Sequence, residues 1–314
     1  MKILVSDKMS NKVEDVLKAK GVDYEIKTGM TPEELKGCID QYDGILIRSA
    51  TKLKAEILDG CKNLKVVGRA GVGVDNVDLD VATKHKILVM NTPLGNMEAT
   101  AELSVGLVFS LMRHIHHANP STHQGKWEKS KFMGTELKGK TVGIIGFGNI
   151  GQRVAEMLGA IGMNVITNSS SASAEDLDRL RATKVSLDQL IAQSDVISLH
   201  TKLSDDTRDM FNSKTLKAMK NSAILINCAR GGLIHEADLK SALESGEIAG
   251  VAIDVYPTEP AKENVLFGVE NALLTPHLGA SSKEAQINVA VDVATQVADY
   301  LLNGTIINNV NSLD

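Results

Sequence analysis

The stretch "TVGIIGFGNIGQRVAEMLGAIG", residues 141 to 162, limits the possible folds more than any other. A β-branched run stops at a glycine-rich turn and resumes with apolar residues at helical spacing, which reads as strand, tight turn, helix. Gly146, Gly148 and Gly151 make the pattern G-x-G-x-x-G in the one context that gives it meaning. There the first glycine permits the turn, the second lets backbone approach a pyrophosphate, and the third lets helix pack on strand. The helix N-terminus then faces the phosphate charge. A dinucleotide is expected on this turn, with Asn149 and Ile150 beside it. The plainer alternative is a tight turn that holds no ligand.

The rest of the chain repeats that rhythm. "KILVS", "VDYEIK", "DGILIR", "LKVVGRA" and "ILVMNT" alternate with helical stretches such as "NKVEDVLKAK" and "TPEELKGCID". This is the pattern of parallel strands joined by crossover helices. Near residue 93 it gives way to one long helical stretch, "GNMEATAELSVGLVFSLMRHIHHAN". A second series follows, in which "TVGIIGF", "NVITNS", "DVISLH", "AILINCA", "GVAIDVY" and "ALLTP" read as strands. The closing helical segment, "KEAQINVAVDVATQVADYLLNG", is too long for a tail and is expected to return to the first domain. The expected fold is therefore α/β with two doubly wound parallel sheets. A Rossmann dinucleotide-binding domain, 94 to 283, would be inserted in a flavodoxin-like substrate domain made of 1 to 93 and 284 to 314.

Bulk properties agree. A chain of 314 residues suits two domains, and 43% hydrophobic with 23% charged residues is ordinary for a globular protein. A net charge of −5 gives no basic footprint for nucleic acid, and no apolar run reaches the roughly 18 residues of a membrane span. Cys38, Cys61 and Cys228 are few and lack C-x-x-C spacing, as expected of reduced thiols in a cytoplasmic protein. His114, His116 and His117 could suggest metal, but they lack an acid or cysteine partner at ligand spacing. No metal is expected.

Six further segments, in order along the chain, resemble the D-2-hydroxyacid dehydrogenases, in particular the branch acting on 3-phosphoglycerate. They are "LIRSATK" at 46, "VVGRAGVGVDNVD" at 66, "GKWEKSKFMGTELKGKTVGIIG" at 125, "INCARGGLIHE" at 226, "AIDVYPTEP" at 252 and "PHLGASSKEAQ" at 276. The resemblance implies a catalytic triad of Arg230, Glu259 and His277. The chemistry also asks for such groups: a cation to orient carboxylate and carbonyl, a base for the hydroxyl proton, and a nicotinamide for hydride. A guanidinium fork grips a carboxylate, and an imidazole titrates near neutral pH. Glu259 would fix the ring's tautomer.

By the same resemblance Arg48, Ser49, Arg69, Gly71, Val72 and Gly73 would bind substrate, two arginines suiting a phosphorylated acid. Lys129 and Lys131, in the loop after the tryptophan, would reach a neighbouring subunit's site, the bland reading being surface lysines. The helix and loop at 96 to 135 would form a homodimer. Val72, Thr201, Cys228, Ala229, Arg230, Asp254, His277, Gly279 and Ala280 would line the cofactor. The implied reaction is oxidation of 3-phosphoglycerate to 3-phosphohydroxypyruvate, the first step of serine synthesis. Glyoxylate or hydroxypyruvate reduction is the alternative within the class, and a non-catalytic dinucleotide-sensing corepressor is the alternative outside it. Relatives often carry a C-terminal serine-binding regulatory domain, and none is expected in a chain that ends at Asp314.

One position departs from the pattern. The ribose-reading place at the end of "NVITN" falls on Asn168 or Ser169, 17 and 18 residues past Gly151, and the following run "SSSASAED" offers no acid there. An aspartate would bind the ribose hydroxyls and repel a 2′-phosphate by about 4 kcal/mol per unit charge pair at 4 Å and an effective dielectric near 20. Ser169 lacks that repulsion, and its hydroxyl can donate to a ribose hydroxyl or to a phosphate beside the cofactor. NAD is expected to bind, with NADP tolerated or preferred. The nearest downstream cations are Arg179 and Arg181.

Overall fold

The structure, a computed structural model, describes residues 1 to 313 and divides into two compact units, Met1–Met97 with Ala280–Asp314, and Glu98–Gly279.

The first unit runs β1 (Lys2–Val5), α1 (Lys12–Ala19), β2 (Asp23–Ile26), α2 (Pro32–Cys38), β3 (Gly44–Ile47), α3 (Ala55–Leu58), β4 (Val66–Arg69), α4 (Leu79–Lys84) and β5 (Leu88–Asn91). Its sheet has the order β2-β1-β3-β4-β5, parallel throughout, which is the flavodoxin-like order. β3 and β4 are buried on both faces, as strands covered by helices must be. Capping chemistry sets the helix starts. Thr31 and Glu34 form a reciprocal capping box ahead of Pro32, and the Asp78 carboxylate accepts from the N–H of Val81.

The second unit begins within α5 (Met97–Met112) and continues with α6 (Ile115–His123), β6 (Thr141–Ile145), α7 (Asn149–Ala160), β7 (Asn164–Asn168), α8 (Ala174–Arg179), β8 (Thr183–Lys184) and α9 (Leu187–Gln193). After these come β9 (Val196–Leu199), α10 (Ser213–Lys217), β10 (Ile224–Asn227), α11 (Glu236–Glu244), β11 (Gly250–Ile253) and β12 (Ala272–Leu274). The sheet order is β12-β11-β10-β9-β6-β7-β8, again all parallel, the Rossmann order with one further strand. Two buried apolar clusters flank it, one holding Val142, Val154 and Leu158, the other Leu199, Phe211 and Leu225.

The expected single helix over residues 95 to 119 is two. His114 takes a left-handed backbone, φ 52°, which ends α5 and restarts the chain as α6. The closing helix is as expected: α12 (Lys283–Asn303) belongs to the first unit and buries Val289, Val293, Val297 and Leu301 in that unit's core. It crosses β4 at Gly68, where a Cβ would lie 2.5 and 2.6 Å from methyls of Val297 and Val293. Only glycine permits that approach. Among the described residues no helix is long and apolar enough to cross a membrane, and no group of three or more metal-ligating side chains is assembled.

Candidate active site

The glycine turn follows β6, where the strand order reverses between β6 and β9, the place at which open α/β sheets bind ligands. Its three glycines do not share one cause. Gly146 has φ 88°, and a Cβ there would strike the carbonyl of His200. At Gly151 a Cβ would strike the carbonyl of Gly146. Gly148 has an ordinary φ of −79° and nothing within 4 Å of where its Cβ would be. Protein packing therefore explains the outer two and leaves the middle one open toward the N-terminus of α7, a bare cradle with N–H groups at its rim. That geometry fits a pyrophosphate.

The proposed catalytic side chains come from three loops that follow strands of the same sheet. His277 lies just past β12, with its Nδ1 2.6 Å from Glu259 Oε2. The other glutamate oxygen, Oε1, accepts from the N–H of Tyr256 at 3.0 Å. Burial works to raise the Glu259 pKa, yet the hydrogen bond from His277, the Tyr256 amide and the charges of His277 and Arg230 together hold it below the ordinary glutamate value. An ionised carboxylate only accepts, so the shared proton sits on Nδ1 and Nε2 stands outside this pair. His277 is at φ 55°, a left-handed conformation that costs a histidine on the order of 1 kcal/mol. Asp254, fully buried at the end of β11, holds it there. Its carboxylate accepts from the Thr275 hydroxyl at 2.6 Å and from the N–H groups of Leu278 and Gly279 at 2.7 and 2.9 Å.

Arg230 is presented by the turn after β10. Asn227, 2% exposed, accepts from the Ala229 N–H at 3.0 Å and donates to the Arg230 carbonyl at 2.9 Å. Sequence reasoning did not single out Asn227 or Thr275. An asparagine two residues before a turn was the available signal for the first. Arg230 also contributes to the field on Glu259, so the three side chains act on one another electrostatically. Burial pushes the neighbouring Cys228 thiol up to about 12, offset in part by a hydrogen bond with Ser104 and reinforced by the charge of Asp254. It is a protonated, inert thiol. Thr201 follows the His200 backbone that walls Gly146.

At the end of β7 the ladder pairs Asn168 with Ile145, and the Gly146 N–H donates to the Asn168 carbonyl at 3.1 Å. Ser169 is thus next to the glycine turn. Its hydroxyl lies 3.0 Å from that of Ser171, and no acid stands at this strand end. Arg179, ten residues on, folds back so that its guanidinium meets Gln152 in the first turn of α7 at 2.7 Å and Asp176 at 3.0 Å. Arg181 adopts a left-handed backbone, φ 49°, past the end of α8. Lys129 and Lys131 lie on an exposed 3-10 turn, Lys129–Phe132, and Lys129 lines a surface depression with Arg113, Trp127 and Met133.

In the first unit, Arg48, Ser49, Arg69, Gly71, Val72 and Gly73 all lie at or just beyond the C-terminal ends of β3 and β4. Gly71 is at φ 136°, its N–H bonded to the Thr92 hydroxyl at 2.7 Å, and the Val72 carbonyl accepts from Asn91 at 2.6 Å. Ala280 begins the returning segment, its carbonyl held by Gln286 at 2.6 Å.

Residues 105–279 match the family described as D-isomer specific 2-hydroxyacid dehydrogenase, NAD binding domain. The chain belongs to this family, and its second unit is an NAD(P)-binding domain of it. More particularly, it is 44% identical over 301 residues to a D-3-phosphoglycerate dehydrogenase of Synechocystis, covering 96% of this chain and 54% of that one. The chain thus spans about half the length of the curated relatives it matches. Among solved structures, a glyoxylate reductase from Paecilomyes thermophila superposes with a TM-score of 0.91 at 30% identity, over 99% of this chain and 98% of that one. An acyclic imino acid reductase in complex with NADPH and D-Arg gives 0.90 at 28%, over 99% and 100%.

Proposed function

We propose that the protein oxidises D-3-phosphoglycerate to 3-phosphohydroxypyruvate, and reduces it in reverse, with NAD or NADP. The observation that carries this reading is the 2.6 Å pair of His277 Nδ1 and Glu259, with Arg230 in the same field. In oxidation, Nε2 of His277 takes the hydroxyl proton while Glu259 stabilises the resulting imidazolium. In reduction the same nitrogen returns it. Arg230 orients carboxylate and carbonyl through its planar fork, and Val72 and Gly73 offer backbone N–H groups to the carboxylate. A bound nicotinamide dinucleotide supplies or takes the hydride. Arg48 and Arg69 supply cations for the substrate phosphate, and Lys129 and Lys131 add charge across a homodimer contact. The exposed Trp127, 88%, and Met133, 80%, give that contact an apolar centre.

The name of the Synechocystis relative supports the phosphorylated substrate, and the glyoxylate reductase neighbour supports the second reading, reduction of a small unphosphorylated 2-oxo acid. The two separate on one measurement. The first expects kcat/KM for 3-phosphohydroxypyruvate to exceed that for hydroxypyruvate by roughly a hundredfold or more, and equal values would replace it by the second. Absence of hydride transfer with every 2-oxo acid would favour a dinucleotide sensor. For the cofactor, Ser169 in place of an acid and Arg179 drawn back to Gln152 support use of NADP, and the imino acid reductase of the same fold is a complex with NADPH. The expectation is kcat/KM for NADP within roughly tenfold of NAD or above it, and a thousandfold preference for NAD overturns it.

A further inference from the structure

Where the strand order of the first sheet reverses, between β1 and β3, the two strands lead into loops that run apart. The loop after β3 reads Arg48-Ser49-Ala50-Thr51, and both its ends are tied down. Asp7, two residues past β1 and only 6% exposed, accepts from the Arg48 N–H at 2.6 Å, the Thr51 N–H at 3.1 Å and the Thr51 hydroxyl at 2.8 Å. Because that hydroxyl donates to Asp7, Ser6 must donate to it in turn across 2.9 Å. From the other side the Asn76 amide donates to the carbonyls of Arg48 and Thr51, both at 2.7 Å. Ser49 and Ala50, between the tied ends, remain exposed.

This is an unusual use of a buried carboxylate. No cation pairs with it in these bonds, and what it gathers is the main chain of one exposed four-residue loop. A fold needing only stability could fill the place with apolar side chains, since a buried charge without a counter-ion is costly to keep. We propose that Asp7 and Asn76 are positioning residues. Together they hold the Arg48–Thr51 main chain in the one pose in which its exposed crown and the Arg48 guanidinium, itself resting on the Lys8 carbonyl at 3.2 Å, receive the anionic substrate. The inference rests on the proposed function for the identity of that substrate.

The test uses the full chain and four variants. Asp7→Ala removes the acceptor of two N–H groups and of the Thr51 hydroxyl, Asn76→Ala removes both carbonyl ties, Thr51→Val removes the hydroxyl, and Thr51→Ser restores it. The 2-oxo acid KM should rise roughly tenfold or more in the first three, with kcat changed less than KM and the KM for the dinucleotide unmoved. Thr51→Ser should recover the wild-type KM. Exchange of the Arg48 and Thr51 amides should quicken in Asp7→Ala, which establishes that the loop was released. Released amides with an unchanged substrate KM, or equal losses of dinucleotide and substrate affinity, overturn the proposal. If the wild type turns over no 2-oxo acid, the proposed function fails on its own. Calorimetric binding of 3-phosphoglycerate to the same variants then decides this one: weaker binding by the variants supports it, while equal or absent binding throughout overturns it.

Discussion

At the scale of single residues, the proposed catalytic groups could be named from the sequence, while the residues that hold them could not. Arg230, Glu259 and His277 sit in distinctive segments, which is what made them candidates. Asn227, Thr275 and Asp7 are common polar residues whose roles depend on which backbone groups come within 3 Å, a property of the folded chain alone. Replacing Glu259 by Gln keeps the shape but offers His277 a neutral partner. The expected outcome is a fall of roughly a hundredfold in kcat/KM with unaltered dinucleotide affinity, read by steady-state kinetics and calorimetry. His200 gives a prediction about stability. Burial pushes its imidazole down to about 4, so between that value and an unfolded value of about 6.5 the unfolded chain binds the extra proton. Stability is therefore present above the unfolded value and drains away as pH falls through this window. Part of the residue still meets solvent, which makes the loss smaller than full enclosure would give. Denaturant melts at pH 7 and 5 should show a smaller drop for His200→Gln than for wild type.

At the scale of elements, alternating β-branched runs exposed most strands, and their alternation with helical stretches exposed two doubly wound parallel sheets. What stayed hidden was short or interrupted. α3 has four residues and β8 two, below the length at which periodicity can be seen. The break at His114 lies inside an unbroken helical pattern, and nothing local to "LMRHIHH" announces a left-handed residue. The turn before α7 supplies the sharpest test at this scale, because its glycines are there for different reasons. Gly148→Ala adds a methyl to open space and should leave the melting temperature nearly unchanged while weakening dinucleotide binding by roughly tenfold or more. Gly151→Ala forces a methyl onto the Gly146 carbonyl and should lower the melting temperature by several degrees. Equal effects on melting would show that the middle glycine is a packing residue as well.

At the scale of the whole molecule, the returning helix was legible because "INVAVDVATQVADYLL" is too apolar and too long to be left in solvent. Its depth was not. Gly68 under Val293 and Val297, and Gly44, where a Cβ would lie 3.2 and 3.3 Å from the side chains of Val297 and Leu301, show that α12 is part of the first core and not a cover over it. A fragment of residues 98 to 279, which holds both of its apolar clusters, should fold cooperatively and bind dinucleotide by itself. Residues 1 to 97 alone should not fold, and adding a peptide of residues 280 to 313 should restore structure, followed by circular dichroism. The same arrangement sets a timetable on the ribosome. The strands of the first unit emerge earliest but lack Val289, Val293, Val297 and Leu301 until the 182 residues of the second unit have been made. The first unit is thus begun before the second and completed after it, and the growing chain carries a part-covered apolar sheet face while the second unit is made.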